Sequence, residues 1–228
     1  MDYNGSGTFA STTLDSDSKV TAVTIGDIDG NGFQDIVIGG ENGLQRWDTD
    51  DGTTWSRVDI DDDKPNGSHI VIADMDGDGQ NDIVTGDSPG NVVAVYHHVE
   101  NDRFQRTEFS GDADATVVDP VDIDEDGDED VVVAAQDDNS IYWFKNGADG
   151  FEKETLVTGL QSVFAVKVID VDGDNDFDFI AGDHFQGTVR WYERTAAKPV
   201  ATQPGSIAQS TSGSGNVTFK TTISDADP

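Results

Sequence analysis

Short apolar runs alternate with acidic, glycine-bearing loops along most of this chain. Each loop lies between two runs rich in β-branched residues, at 20–25 and 36–38, 70–72 and 83–84, 117–118 and 131–133, and 166–169 and 179–180. β-Branched residues favour strands, and a polar turn between two such runs is typical of a β-hairpin. The pattern therefore predicts that each acidic loop joins two buried strands.

Further strand-like segments follow each pair of runs. An aromatic-rich segment lies at 44–47, 92–96, 141–144 and 189–192, and a more polar one at 54–58, 104–109 and 151–157. Four short strands in about 48 residues, with no helical periodicity, predict an all-β fold: a β-propeller of four-stranded blades with four repeats in this chain. A β-sandwich of irregular strands is the alternative, but it does not explain the fixed period.

The aromatic residues at this blade position admit two interpretations. Aromatic rings can stack on sugars, but rings repeated at one position of successive blades more often pack between neighbouring blades. Packing is therefore expected for Trp47, Tyr96, Tyr142, Trp143, Trp191 and Tyr192.

The fourth repeat lacks a polar fourth segment. Residues 4–14 match 146–156 without a gap, so the N-terminus is a candidate for the outer strand of the last blade; a piece of a longer propeller would show the same set of strands. After Arg194 the chain becomes rich in Ala, Pro, Ser, Gly and Thr, which is typical of a linker. The predicted domains are the propeller over 1–194, a flexible linker over 195–215, and 216–228 as either the first strand of a truncated second β domain or a tail.

One nine-residue pattern, Asp-x-Asp/Asn-x-Asp/Asn-x-x-x-Asp, occurs four times, with starts 47, 48 and 48 residues apart at Asp27, Asp74, Asp122 and Asp170. Calcium prefers six to eight oxygen ligands, and side chains at alternate positions of a tight loop can converge on one ion. A single Asp-Gly-rich turn is often only a solvated hairpin. Four in register, whose carboxylates repel each other without a cation, predict about four Ca²⁺ ions, one per repeat.

The predicted ligands occupy the same positions in each loop. The side chains at positions one, three, five and nine are Asp27, Asp29, Asn31 and Asp35; Asp74, Asp76, Asp78 and Asp82; Asp122, Asp124, Asp126 and Asp130; and Asp170, Asp172, Asp174 and Asp178. Position seven contributes a backbone carbonyl, from Phe33, Gln80, Asp128 and Asp176. The first loop has one carboxylate fewer in this set, so it is expected to bind calcium most weakly.

The sixth position of the loop requires a residue that tolerates positive φ. Glycine supplies it in three loops, and Asn175, the next most tolerant residue type, replaces it in the fourth. An EF-hand fits less well, because its loop needs a glutamate at position twelve and flanking helices, whereas position twelve here is Ile38, Thr85, Val133 and Ala181.

Charge and composition narrow the possible partners. With 46 acidic and 13 basic residues the net charge is −33, which disfavours nucleic acid and anionic membranes as partners. The chain has no cysteine and no apolar segment long enough to enter a membrane. Residues 1–9 lack the features of a signal peptide, so the leader of a secreted protein would lie outside this sequence.

The loops and the strands after them resemble the FG-GAP, or VCBS-type, repeat family of integrin α-subunits and many secreted microbial proteins. Residues 27–40 and their three counterparts, especially 74–79, carry the resemblance. It implies a propeller with calcium in hairpin loops of successive blades and loop faces left for ligands. The family's propellers usually have seven or so blades, and Ala134-Ala135 stands where glycine is typical. Residues 223–228 resemble the opening of a cadherin-like or Ig-like domain.

No nucleophile motif, phosphate-binding loop or zinc-protease motif is present, and His69, His97, His98 and His184 are expected to be surface or hydrogen-bonded residues. The chain is therefore interpreted as an extracellular, non-catalytic adhesion module of a larger secreted protein, with an unidentified protein or carbohydrate ligand. Two alternatives stay open. One is a structural subunit that forms a filament or ring by strand exchange; the other is the propeller part of a polysaccharide-degrading enzyme, although a lyase would need a basic cluster and only 13 Lys and Arg are present.

Overall fold

The computed structural model describes residues 11–14, 19–62, 67–87, 90–99, 103–109 and 115–194, and the backbone of 217–219. Within these residues the regular structure is entirely β: sixteen strands form four antiparallel sheets of four strands each. This confirms the predicted all-β fold of four-stranded blades. No helix that could span a membrane occurs in the described part of the chain.

The sheets are numbered blades 1 to 4 in chain order. Blade 1 contains β1 (Val20–Gly26), β2 (Asp35–Gly40), β3 (Gly43–Asp48) and β4 (Ser56–Asp61). Blade 2 contains β5 (His69–Ala73), β6 (Asp82–Asp87), β7 (Val92–Val99) and β8 (Arg103–Phe109). Blade 3 contains β9 (Ala115–Val121), β10 (Asp130–Ala135), β11 (Ser140–Lys145) and β12 (Glu152–Val157). Blade 4 contains β13 (Val163–Ile169), β14 (Asp178–Asp183), β15 (Thr188–Arg194) and β16 (Val217–Phe219).

Strands within a blade follow the order of the chain, and each pairs antiparallel with its sequence neighbour. The acidic loops connect the first strand to the second, as predicted from the apolar runs on either side of them. The second strand, which begins at the last aspartate of the loop, is the most deeply buried strand of each blade.

Neighbouring blades pack through the same positions each time. The residue two places after the last loop aspartate faces the next blade, and we name this side of a blade its forward face. The residues one and three places after that aspartate face the preceding blade, on the rear face. Val84 of blade 2 thus shares a buried cluster with Val131 and Val133 of blade 3. Equivalent clusters join Val37 to Ile83, and Val132 to Phe179 and Ala181.

Several aromatic residues lie in these clusters, as expected. Tyr96 and Tyr192 are buried members of the clusters, and Trp143 and Tyr142 pack against them from partly buried positions. The rings of Tyr192 and Phe179 stack with centroids 4.6 Å apart.

The outer strand of blade 4 differs from its predicted origin. β16 comes from the C-terminal side of the chain and pairs with Tyr192, Glu193 and Arg194 of β15, where the sequence offers the N-terminus as a candidate. The alternation in Val217-Thr218-Phe219 suits a strand, and the stretch 195–216 is long enough to return it beside β15. Residues 1–10 lie outside the described residues, and the predicted boundaries of the linker and the second domain stay predictions.

The blades form an open series in the described residues. Extensive packing joins blade 1 to blade 2, blade 2 to blade 3, and blade 3 to blade 4, whereas none of that extent joins blade 4 to blade 1 in the same part of the chain. The rear face of blade 1 and the forward face of blade 4 are therefore the two ends of the series.

Candidate metal centres

The ninth-position aspartate anchors each acidic loop to the third strand of its blade. These four residues, Asp35, Asp82, Asp130 and Asp178, are at most 1% exposed. Each Oδ2 accepts a hydrogen bond of 3.0 to 3.2 Å from the N–H of the second loop residue: Ile28, Met75, Ile123 and Val171. Each Oδ1 accepts a bond of 2.7 to 3.3 Å from an N–H at the end of the third strand: Thr49, His98, Asn146 and Arg194.

The first-position aspartate closes the turn of the loop. Its Oδ2 accepts a bond of 2.9 to 3.0 Å from the sixth-position N–H, in the pairs Asp27–Gly32, Asp74–Gly79, Asp122–Gly127 and Asp170–Asn175. Every sixth-position residue has positive φ, including Asn175 at 68°, as predicted. The fourth position also has positive φ in each loop, which the sequence pattern does not reveal because Glu125 occupies it in the third loop with a φ of 61°.

Three carboxylates converge in every loop. In each group the ligand atoms lie within 4.8 Å of one another: Asp27, Asp29 and Asp35; Asp74, Asp76 and Asp78; Asp122, Asp124 and Asp130; and Asp170, Asp172 and Asp178. Oxygen atoms at that separation can share one cation, and the metal ligands themselves stay a prediction.

The fifth-position side chains also support the loop backbone. Asp78, Asp126 and Asp174 accept hydrogen bonds of 2.8 to 3.2 Å from the seventh-position N–H, and Asn31 Oδ1 does the same at 2.7 Å for Phe33. Asp126 and Asp174 are not members of the three-carboxylate groups found among the described residues. These bonds shape the turn that carries the seventh-position carbonyl.

Each loop contains a buried carboxylate oxygen that has no hydrogen-bond partner. These atoms are Oδ1 of Asp27, Asp74, Asp124 and Asp176. Burying a charged oxygen without a partner is costly, so a cation bound at this point would stabilise it. In the three-carboxylate groups all the converging donors are oxygen atoms, which fits a hard divalent cation; at the second loop His97 also lies close to Asp76 and Asp82.

The electrostatics of the loops agree with this interpretation. Burial, together with repulsion from Asp174 and Asp178, raises the pKa of Asp176 to about 6. Burial and then repulsion from Asp82 also raise the pKa of Asp76. Without a cation the clustered carboxylates thus hold their charge less readily than isolated ones.

The four loops differ in the residue that approaches them from the third strand. It lies one position before the residue that donates its N–H to the ninth-position aspartate. It is Asp48 in the first loop, His97 in the second, Lys145 in the third and Glu193 in the fourth. The Lys145 ammonium pairs with Asp124 and lies 3.1 Å from Asp126 Oδ2. The third loop therefore contains a cation of its own, which the sequence pattern does not reveal because Lys145 lies 15 residues beyond the loop. The predicted weakness of the first loop stays a prediction.

His97 Nδ1 lies 3.3 Å from Asp82 Oδ2 and 3.7 Å from Asp76 Oδ2, at the second loop. The nearby Asp82 carboxylate raises the pKa of His97. His98 is instead buried and stacks on Phe104 with centroids 5.2 Å apart. The two histidines thus belong to different environments, as expected for adjacent strand residues.

Comparison with known proteins yields a family-model match. The model of the FG-GAP-like repeat matches residues 27–85, 74–133 and 122–181, so each match spans from one acidic loop into the next repeat. No curated protein sequence matches this chain.

Solved structures with a similar fold include two crystal structures of BBS1N in complex with ARL6DN. The first, soaked with lead, has 16% sequence identity and a TM-score of 0.54, over 75% of this chain and 52% of that chain. The second, soaked with mercury, has 15% identity and a TM-score of 0.52, over 77% of this chain and 49% of that chain. This chain therefore spans about half the length of these two chains.

Proposed function

This chain belongs to the FG-GAP-like repeat family, and we propose that it is a non-catalytic binding module whose four acidic loops hold Ca²⁺. The observation that carries the proposal is the combination found in every loop: three carboxylates within 4.8 Å of one another and a buried oxygen without a hydrogen-bond partner. A bound dication would neutralise the repulsion and, in the first three loops, satisfy that oxygen, which belongs to a member of the group: Asp27, Asp74 or Asp124.

The donor set favours calcium over other metals. Zinc in structural sites prefers thiolate and imidazole ligands; this chain has no cysteine, and among the loop clusters of the described residues only the one at the second loop includes a histidine, His97. Magnesium demands a small octahedral site and keeps several waters, whereas calcium accepts more oxygen ligands in less regular geometry. The ligands would be the three-carboxylate groups, completed by the seventh-position carbonyls and by fifth-position side chains. The ion would brace the connection between the first two strands of each blade.

Binding, rather than catalysis, is proposed because the acidic groups of the described loops already have structural roles. BBS1N, to which the fold is similar, is in complex with the protein ARL6DN. We infer a protein ligand for this chain as well, with a carbohydrate ligand as the alternative. The net charge of −33 favours a ligand with a basic surface. An extracellular adhesion role fits because calcium there is abundant enough for loops of modest affinity.

The test is calcium binding measured together with stability. Isothermal titration of the metal-free chain should give about four calcium ions, and thermal unfolding should shift upward with calcium. Each site adds about 2.7 kcal/mol of stability when calcium is a hundredfold above the dissociation constant. Magnesium at the same concentration is the control and should shift unfolding less. Absence of bound calcium, with unfolding unchanged by a chelator, would refute the proposal.

A further inference from the structure

Hydrogen bonds join neighbouring acidic loops across the boundary between two blades. In the second loop, Met75 donates its N–H to Asp82 Oδ2 over 3.0 Å. The Met75 carbonyl oxygen accepts a hydrogen bond of 3.1 Å from the side chain of Asn146 in blade 3. Asn146 in turn donates its backbone N–H to Asp130 Oδ1 over 2.7 Å. Three hydrogen bonds thus connect the ninth-position aspartate of the second loop to that of the third.

The same path continues from the third loop to the fourth. Ile123 donates its N–H to Asp130 Oδ2 over 3.2 Å, and its carbonyl oxygen accepts a bond of 2.6 Å from Arg194 Nη1. Arg194 donates its backbone N–H to Asp178 Oδ1 over 2.9 Å. One oxygen of Asp130 is therefore bonded toward the second loop and the other toward the fourth, so a single path runs through blades 2, 3 and 4.

A different residue links the first loop to the second. Asn81 directly precedes Asp82, and its side chain donates a hydrogen bond of 2.7 Å to the Asp27 carbonyl oxygen. The backbone of the first loop is thus bonded to the end of the second loop. Every acidic loop is therefore connected to its neighbour, and the last three loops share the path through the end of the third strand.

The path is buried, so solvent does not replace its hydrogen bonds at low cost. The ninth-position aspartates are at most 1% exposed, and Met75 is fully buried. The Asn146 side chain is held at two points, because its amide donates to the carbonyl oxygens of both Met75 and Glu129. Leaving a buried donor or acceptor without its partner is costly, so a movement of one loop affects the position of the next.

Met75 lies between Asp74 and Asp76, two of the carboxylates that converge in the second loop. An ion held by these carboxylates orders the backbone between them, including the carbonyl oxygen that Asn146 reaches. Asn146 is then already placed to donate its N–H to Asp130. Part of the ordering that the third loop needs is thus complete before an ion arrives there.

We propose that calcium bound at one loop strengthens calcium binding at the next, with Asn146 and Arg194 as the positioning residues that link the sites. This rests on the calcium binding proposed above. The loss of one neutral hydrogen bond changes an equilibrium constant by about 2- to 10-fold, which is the size expected for the effect. Repulsion between two bound ions acts in the opposite direction, and it is the same with and without the Asn146 side chain.

Hydrogen exchange measured by mass spectrometry during a calcium titration tests the proposal, because it reports each loop separately. Asp76→Ala removes an exposed carboxylate of the second loop. In the otherwise wild-type chain, this change should raise the calcium concentration at the midpoint of third-loop protection by about 2- to 10-fold. In the Asn146→Ala chain, the same change should shift that midpoint by less than about twofold.

Ser68→Ala is the matched control. The Ser68 hydroxyl bonds to the Ala115 carbonyl oxygen at 3.4 Å, so it also joins blade 2 to blade 3, but at the opposite end of β5 from the acidic loop. If the effect came from weaker packing between the blades in general, Ser68→Ala would remove it as well. The full shift caused by Asp76→Ala is instead expected to persist in the Ser68→Ala chain.

The outcomes separate this proposal from calcium binding itself. If Asp76→Ala leaves the third-loop midpoint unchanged in the otherwise wild-type chain, calcium binding stands and the coupling between loops is overturned. That comparison does not depend on the folding of the Asn146 variant, which circular dichroism checks. An equal shift in the Asn146→Ala chain would overturn the role of Asn146. If calcium protects none of the loops, the proposed function fails and this inference fails with it.

Discussion

Replacing Lys145 with methionine should tighten calcium binding at the third loop. The lysine ammonium pairs with Asp124 and lies 3.1 Å from Asp126 Oδ2, where it competes with any incoming cation. Methionine keeps the length and apolar stem of the side chain but removes the charge. The local charge of the loop then becomes more negative by one unit, which favours a dication.

The size of the effect follows from the geometry. Opposite unit charges about 4 Å apart attract by about 1 kcal/mol in water and about 4 kcal/mol at the effective dielectric constant near a protein surface. The Lys145 side chain is 38% exposed, so solvent screens part of this attraction. A gain of about 1–2 kcal/mol in calcium binding is expected, which is roughly a 5- to 30-fold lower dissociation constant at one site.

Isothermal titration of the metal-free proteins measures the effect. Lys153→Met is the matched control, because Lys153 lies in the same blade with its Nζ 3.8 Å from the Tyr142 ring centroid. Both variants change the net charge equally, so a general electrostatic effect appears in both. The reasoning is refuted if the two variants have the same calcium isotherm while the wild type binds calcium.

Three further predictions concern stability. Asp130→Ala should lower the free energy of unfolding by about 2–4 kcal/mol in urea denaturation, since the N–H groups of Ile123 and Asn146 lose their acceptor. Asp128→Ala, at an exposed position of the same loop, is the control and should change the free energy of unfolding by less than about 0.5 kcal/mol. Glu125→Gly should raise the free energy of unfolding by up to about 1 kcal/mol, because glycine adopts the φ of 61° without strain; a lower melting temperature would contradict this. Asp176 has a pKa of about 6, above its usual 3.8, so the folded metal-free chain binds its proton more tightly than the unfolded chain does. Stability from this group should therefore fall as the pH rises from about 4 to about 6, and Asp176→Asn should remove that slope in unfolding measured with a chelator present.

The repeating unit could be predicted well from the sequence because its signals are local. The apolar runs on either side of each loop identify the strands. The regular Asp spacing places Asp27, Asp29 and Asp35 close together in the folded loop, and their role as metal ligands stays a prediction. The positive φ of Asn175 follows from its place in the pattern.

The features that escaped prediction depend on contacts distant in sequence. Lys145 approaches the third loop only because β11 pairs with β10 in one particular register. From the sequence, the ninth-position aspartates are predicted only to be metal ligands. The structure shows that they also accept hydrogen bonds from the end of the third strand and so hold the loop in place. The partner of β15 could not be chosen from sequence, since any extended segment can pair with a strand edge.

The order of strands in blades 1 to 3 has a consequence for how the chain folds during synthesis. Every strand in these blades pairs with its immediate sequence neighbour, so a blade needs no segment from elsewhere in the chain. Contacts of such short range form quickly, so the strands of each blade can pair once its own residues have been synthesised, and the blade then packs against the one before it. Blade 4 is the exception: its β15 edge must wait for Val217–Phe219, so it is the last blade to be completed.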